Sequence, residues 1–135
     1  MTTLGERAAQ CPGYGYVPAV ERPTVLVVED EPSIRLLFRI NLELEGFDVL
    51  EAGSLSDARV AIAGHDVSVV LLDLRIGNER GTDLIDELRA CGVPVALVTG
   101  SAEHDSEAKG LADAYLRKPF AITDLIRTVK ELAVD

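Results

Sequence analysis

The residues best suited to chemistry in this sequence are a group of acids, one hydroxyl and one ammonium, each following an apolar run. Glu29 and Asp30 follow TVLVV (24–28), Asp73 closes VSVVLLD (67–73), Thr99 closes VPVALVT (93–99) and Lys118 closes AYLRK (114–118). An unpaired carboxylate is costly to bury among Val and Leu, so Asp73 must lie near water or a cation, or be held neutral by a shifted pKa. If the runs carrying Glu29, Asp30 and Asp73 are neighbouring strands, three like charges converge. They cannot all ionise freely, and a shared proton or a cation is the remedy. Oxygen-only ligands favour a hard ion, and Mg²⁺ commonly takes one or two carboxylates, waters and phosphate oxygens. A carboxylate nucleophile, a metal, a hydroxyl donor and a lysine are the parts that bind and stabilise a phosphoryl group. Each residue also has a plainer reading, as a solvated acid at a strand end, a strand-forming Thr or a solubilising Lys. Their joint placement at successive strand ends favours the chemical one.

The elements that must position these groups alternate. TVLVV reads as a buried strand, and Pro32 sits at a helix start, with Ile34, Leu37, Phe38 and Leu42 repeating at helical spacing until Gly46. FDVLEA (47–52) alternates as a strand, and Ser54 or Ser56 can cap a helix carrying Leu55, Ala58 and Ile62. After the strand ending in Asp73, Leu84, Ile85 and Leu88 mark a helix that stops near Cys91-Gly92. Ile122, Leu125, Ile126, Val129 and Leu132 make the clearest amphipathic helix. Five strands alternating with helices predict right-handed crossovers and a parallel sheet covered on both faces. In such a sheet ligands bind beyond the carboxyl ends of the strands, which is where all five candidates sit.

At 135 residues the chain fits one domain. Residues 1–22, with Pro12, Gly13, Gly15 and Pro18 and no sustained periodicity, read as a flexible arm, and 23–135 as the domain. Thirteen Lys and Arg against 23 Asp and Glu give a net charge of −10, with no basic patch, which disfavours nucleic acid and anionic membrane surfaces. No run approaches the ~20 apolar residues of a membrane span, and Glu6 and Arg7 stand where a signal peptide needs its apolar stretch. A cytoplasmic protein is expected. Cys11 and Cys91 have no CxxC partner, so the sequence offers no support for a disulfide or thiolate metal site, and Cys91 reads as a small apolar residue.

In their order and identity these pieces resemble the receiver domain of two-component response regulators. The matching segments are VLVVEDEP (25–32), LLDL around Asp73, Gly81 eight residues later, VTG (98–100) and YLRKPF (115–120). The resemblance runs from about residue 24 to the C-terminus. It implies a flavodoxin-like α/β fold: a doubly wound (βα)5 unit with a five-stranded parallel sheet of order 2-1-3-4-5. It also implies phosphorylation of Asp73 by a histidine kinase or histidine phosphotransfer protein. By position, Asp30 and Asp73 resemble direct Mg²⁺ ligands, with Glu29 acting through water and the Arg75 carbonyl completing the set. Lys118 resembles the lysine that pairs with the acceptor and then the phosphoryl oxygens. Thr99 resembles the hydroxyl donor, Tyr115 the aromatic switch, and Lys118-Pro119 is expected to be cis. Such a domain assists its own phosphorylation and dephosphorylation without being an enzyme in the ordinary sense.

Three departures from the family qualify this picture. Gly77 stands where a proline is common, and Arg75 occupies the place two after the Asp, with its side chain expected in solvent. Aspartyl-nucleophile phosphohydrolases usually carry a second Asp there, which argues against that rival. The segment GSAEHDSEAKGLADAYLR is about one turn short, and its middle, SAEHDSEAKG, has almost no large apolar residue, so the fourth helix is expected to be short, irregular or missing. His104 within it reads as exposed, and any inherited dimer geometry becomes doubtful, leaving a monomer or weak dimer. The sequence ends just after the last helix, which suggests a stand-alone receiver acting through an unidentified output protein or as a phosphoryl relay or sink. The remaining rival is a kinase-binding scaffold that has given up phosphotransfer.

Overall fold

The structure is a computed structural model that describes residues 22–100, 110 and 112–133. Five strands form one parallel sheet: β1 (Thr24–Val28), β2 (Asp48–Ala52), β3 (Val69–Asp73), β6 (Val95–Thr99) and β7 (Ala114–Arg117). A separate hairpin, β4 (Arg75–Ile76) and β5 (Glu79–Arg80), interrupts the series. The helices are α1 (Pro32–Leu44), α2 (Leu55–Gly64), α3 (Thr82–Ala90) and α4 (Ile122–Ala133). The sheet order is β2-β1-β3-β6-β7, which is the expected 2-1-3-4-5 once the hairpin is set aside.

The central strands are apolar on both sides because both faces are covered. Leu26, Val28, Val70, Leu72 and Leu97 pack with Leu55, Ala58, Leu84, Ile85 and Leu88 of α2 and α3. Val25, Val27, Leu71, Ala96 and Val98 pack on the other face with Phe38 and Leu42 of α1 and Leu125 and Val129 of α4. Helix starts follow the sequence signals: Ser54 accepts a hydrogen bond from the Asp57 N–H at 3.0 Å, and Pro32 occupies the first turn of α1. Gly46 and Gly92 take positive φ (95° and 73°) just past α1 and α3, where an L side chain would be strained.

The hairpin was not legible as strands. Its flanks are two residues each, too short to show alternation, although Gly77-Asn78 is a two-residue turn signal with Gly at the first central position. Gly77 has φ of 59°, as such a turn requires. Cys91 packs partly buried against the core on the α2/α3 side, as its sequence context suggested, but it is also disulfide-bonded, which corrects the expectation that the sequence offers no support for a disulfide. The proposed arm (1–22, of which only residue 22 is described), the short fourth helix and His104 fall outside the described residues. Among the described residues no helix is long and apolar enough to cross a membrane.

Candidate functional site

Strand register alone gathers the candidates. Val28 pairs with Leu72, so the next residue of each strand brings Glu29 beside Asp73 at the carboxyl edge. Asp73 pairs with Val98, which puts Thr99 one step beyond it, and Thr99 pairs with Arg117, which puts Lys118 one step beyond that. The Lys118 N–H donates to the Thr99 carbonyl at 2.7 Å, and the Lys118-Pro119 bond is cis as expected.

Lys118 Nζ lies 3.1 Å from Asp73 Oδ2 and 3.6 Å from Glu29 Oε1. The Arg75 N–H donates to Asp73 Oδ1 at 3.0 Å, so both oxygens of Asp73 are engaged. This resolves the carboxylate at the end of an apolar strand: Asp73 sits at the sheet's rim against an ammonium. Glu29 is more deeply placed, 3% exposed. Its Oε2 accepts from the Glu31 N–H at 3.0 Å, while Oε1 is buried without a hydrogen-bond partner among the described residues. Burial, together with the neighbouring Asp73, pushes the Glu29 pKa up to about 7. Desolvation disfavours the charge on Lys118, but Asp73 and Glu29 outweigh it and its pKa is raised. Asp30 is exposed and accepts from the Gly77 N–H at 2.9 Å, a bond that leads in holding its pKa below the ordinary value.

Thr99 is buried at the rim, and Tyr115 is half-buried against the core on the α2/α3 side of the sheet. Arg75 is exposed, as expected from the sequence. Two contributions of the loop after Asp73 were not read from the sequence. The hairpin turn supplies the N–H that holds Asp30, and Gly81 packs directly on Asp73. A Cβ at Gly81 would collide with the Asp73 carbonyl oxygen and lie 3.1 Å from its carbonyl carbon and 3.2 Å from Leu72 Cγ. The Gly81 N–H also donates to the Leu74 carbonyl at 2.6 Å. Gly81→Ala must therefore shift the backbone of the acceptor residue itself. A loss of about 1–3 kcal/mol in unfolding free energy is expected from urea titration, the cost of overpacking a close contact.

The donor set suits a hard cation: two ionisable acids beside a buried carboxylate oxygen that has no hydrogen-bond partner among the described residues. In the described state the carboxylates are otherwise committed, Asp73 to Lys118 and Asp30 to Gly77. Among the described residues, no group of three or more His, Cys, Asp or Glu is arranged to hold a metal ion.

Residues 25–130 match the family model described as the response regulator receiver domain. The transcriptional regulatory protein AruR of Pseudomonas aeruginosa is 39% identical over 119 residues, covering 82% of this chain and 49% of AruR. The phosphate regulon regulator PhoB of the same species is 31% identical over 114 residues, covering 79% of this chain and 50% of PhoB. This chain thus spans about half the length of the curated relatives it matches. Among solved structures, the response regulator TrrA of Thermotoga maritima in complex with Mg²⁺-BeF superposes with a TM-score of 0.75 at 28% identity. That match covers 82% of this chain and 98% of TrrA.

Proposed function

Because this chain belongs to the response regulator receiver domain family, we propose that Asp73 is its phosphoacceptor and that Glu29, Asp30, Thr99 and Lys118 serve that residue. The observation that carries the reading is the contact of Lys118 with both Asp73 and Glu29 at the carboxyl edge of the sheet. An Asp73 oxygen forms a P–O bond as the P–N bond of a phosphohistidine donor breaks. Carboxylate and phosphoryl group are both anionic, and the ammonium of Lys118 offsets that repulsion. Asp30 and Asp73 would hold Mg²⁺ directly, with Glu29 acting through water and the Arg75 carbonyl completing the protein ligands. The ion supplies positive charge that neutralises the transferring group. Thr99 would donate its hydroxyl to the new phosphoryl oxygens, and Tyr115 would follow the movement of Thr99.

Phosphorylation adds negative charge and strong acceptor oxygens at a fixed place on the rim. The change is read through protein contacts, with a histidine kinase or histidine phosphotransfer protein as donor. Incubation with a small phosphodonor and Mg²⁺ tests the reading. Stoichiometric covalent phosphate that disappears in Asp73→Asn is expected. No uptake from small donors or from any of a panel of histidine kinases would favour a scaffold instead.

A further inference from the structure

The acids Glu29 and Asp30 share one peptide unit, and that unit is gripped from outside the site. Arg35, in the first turn of α1, donates from Nη1 to the Glu29 carbonyl oxygen at 2.8 Å and from Nε to Glu51 Oε1 of β2 at 3.0 Å. Arg39, one turn further along α1, donates to the second oxygen, Glu51 Oε2, at 2.5 Å. The fork lies over Gly53, where a Cβ would approach Nη1 to 3.1 Å, so the strand end leaves just enough room for the guanidinium. The side chains of Arg35 and Glu51 are 21% and 25% exposed, which makes this more than a pair of surface charges.

We infer that Arg35 is a positioning residue for the acid pair, working through the peptide that joins Glu29 to Asp30. The peptide is planar, so fixing the Glu29 carbonyl also fixes the plane from which Asp30 departs. A guanidinium does this where an ammonium cannot, because its rigid fork reaches a backbone oxygen and a carboxylate in directions set by one plane. The partners of Arg35 are Glu51 and the Glu29 carbonyl, so its effect is on the direction in which the two carboxylates leave the chain. This rests on the reading of the site given above.

The sign of one measurement separates positioning from simple electrostatics. Removing a positive charge near a cation site should tighten Mg²⁺ binding if charge alone matters, whereas loosening the ligands should weaken it. The Mg²⁺ dissociation constant is measured from amide chemical shifts of the wild-type chain, Arg35→Gln and Arg35→Lys, with urea unfolding as a check on the fold. Weakening of roughly 10-fold or more in Arg35→Gln is expected, the size found when a residue that orients a metal ligand is removed. Arg35→Lys, which keeps the charge and loses the fork, is expected to weaken binding in the same direction, with the Asp30 amide shifted before any metal is added. Tighter or unchanged binding in Arg35→Gln overturns the inference. If that variant does not unfold cooperatively, unchanged binding in Arg35→Lys does so. A wild-type chain with no Mg²⁺ response overturns the reading of the site itself, a result distinct from variants that bind as wild type does.

Discussion

Lys118→Ala is expected to slow phosphoryl uptake from a small donor roughly 10²–10³-fold, the range for losing one preorganised group that faces developing charge. The geometry makes the effect specific. Lys118 Nζ is 3.1 Å from Asp73 and 3.6 Å from Glu29, so its loss removes the ammonium that faces both acids. Without it Glu29 should take up its proton even more readily, since Lys118 now acts to lower the Glu29 pKa. Stability should fall as well, because the deletion leaves the Asp73 carboxylate at the strand end without its ammonium. The rate is read by intact mass against time, and stability by urea unfolding. A variant that keeps the wild-type rate while remaining folded would show that the ammonium does not act on the transferring group.

The second large effect is a pH dependence that runs opposite to that of an ordinary paired carboxylate. Glu29 is raised from 4.5 to about 7 in the folded chain, mainly by burial. Between these values the folded state keeps a proton that the unfolded state has released. Stability therefore falls as pH rises from about 4.5 to about 7, then levels off. Taken alone the shift corresponds to a contribution on the order of 3 kcal/mol. Asp30 works the other way: its lowered pKa favours the folded state above its unfolded value and is lost as pH falls. Its exposed position keeps that contribution small. Unfolding free energies from pH 5 to 8 should slope downward in wild type and flatten in Glu29→Gln, which is neutral throughout. Saturating Mg²⁺ should also flatten the slope, since a bound cation stabilises the ionised form. A wild-type profile without the downward slope would mean that Glu29 ionises freely.

How much of this was legible in the sequence follows from which physics each feature depends on. The strands near β1, β3 and β6 were readable because sheet burial on both faces demands uninterrupted apolar runs, and Asp73 and Thr99 were marked by ending them. The ends of α1 and α3 were readable from Gly46 and Gly92, since few other residues tolerate the required φ. The convergence of Glu29, Asp73 and Lys118 was foreseeable from strand order, because register fixes which strand ends are neighbours. What escaped were contacts made by the backbone. The Gly77 N–H on Asp30 and the close approach of Gly81 to Asp73 leave no trace in side-chain chemistry. The two-residue strands β4 and β5 are shorter than any period that could reveal them. Arg35 escaped for a related reason: among thirteen Lys and Arg, nothing in its type or spacing distinguishes it from a solvated helix residue until its fork is seen on the Glu29 carbonyl.

The most direct test of the account is to locate the phosphoryl group on the chain. An acyl phosphate formed with a small donor and Mg²⁺ is reduced with borohydride, which converts a phosphorylated aspartate to homoserine, and the peptides are sequenced by mass spectrometry. Homoserine is expected at position 73 and at no other acid. Reduction at Glu29 or Asp30, or a label that resists borohydride because it sits on a hydroxyl or an imidazole, would contradict it.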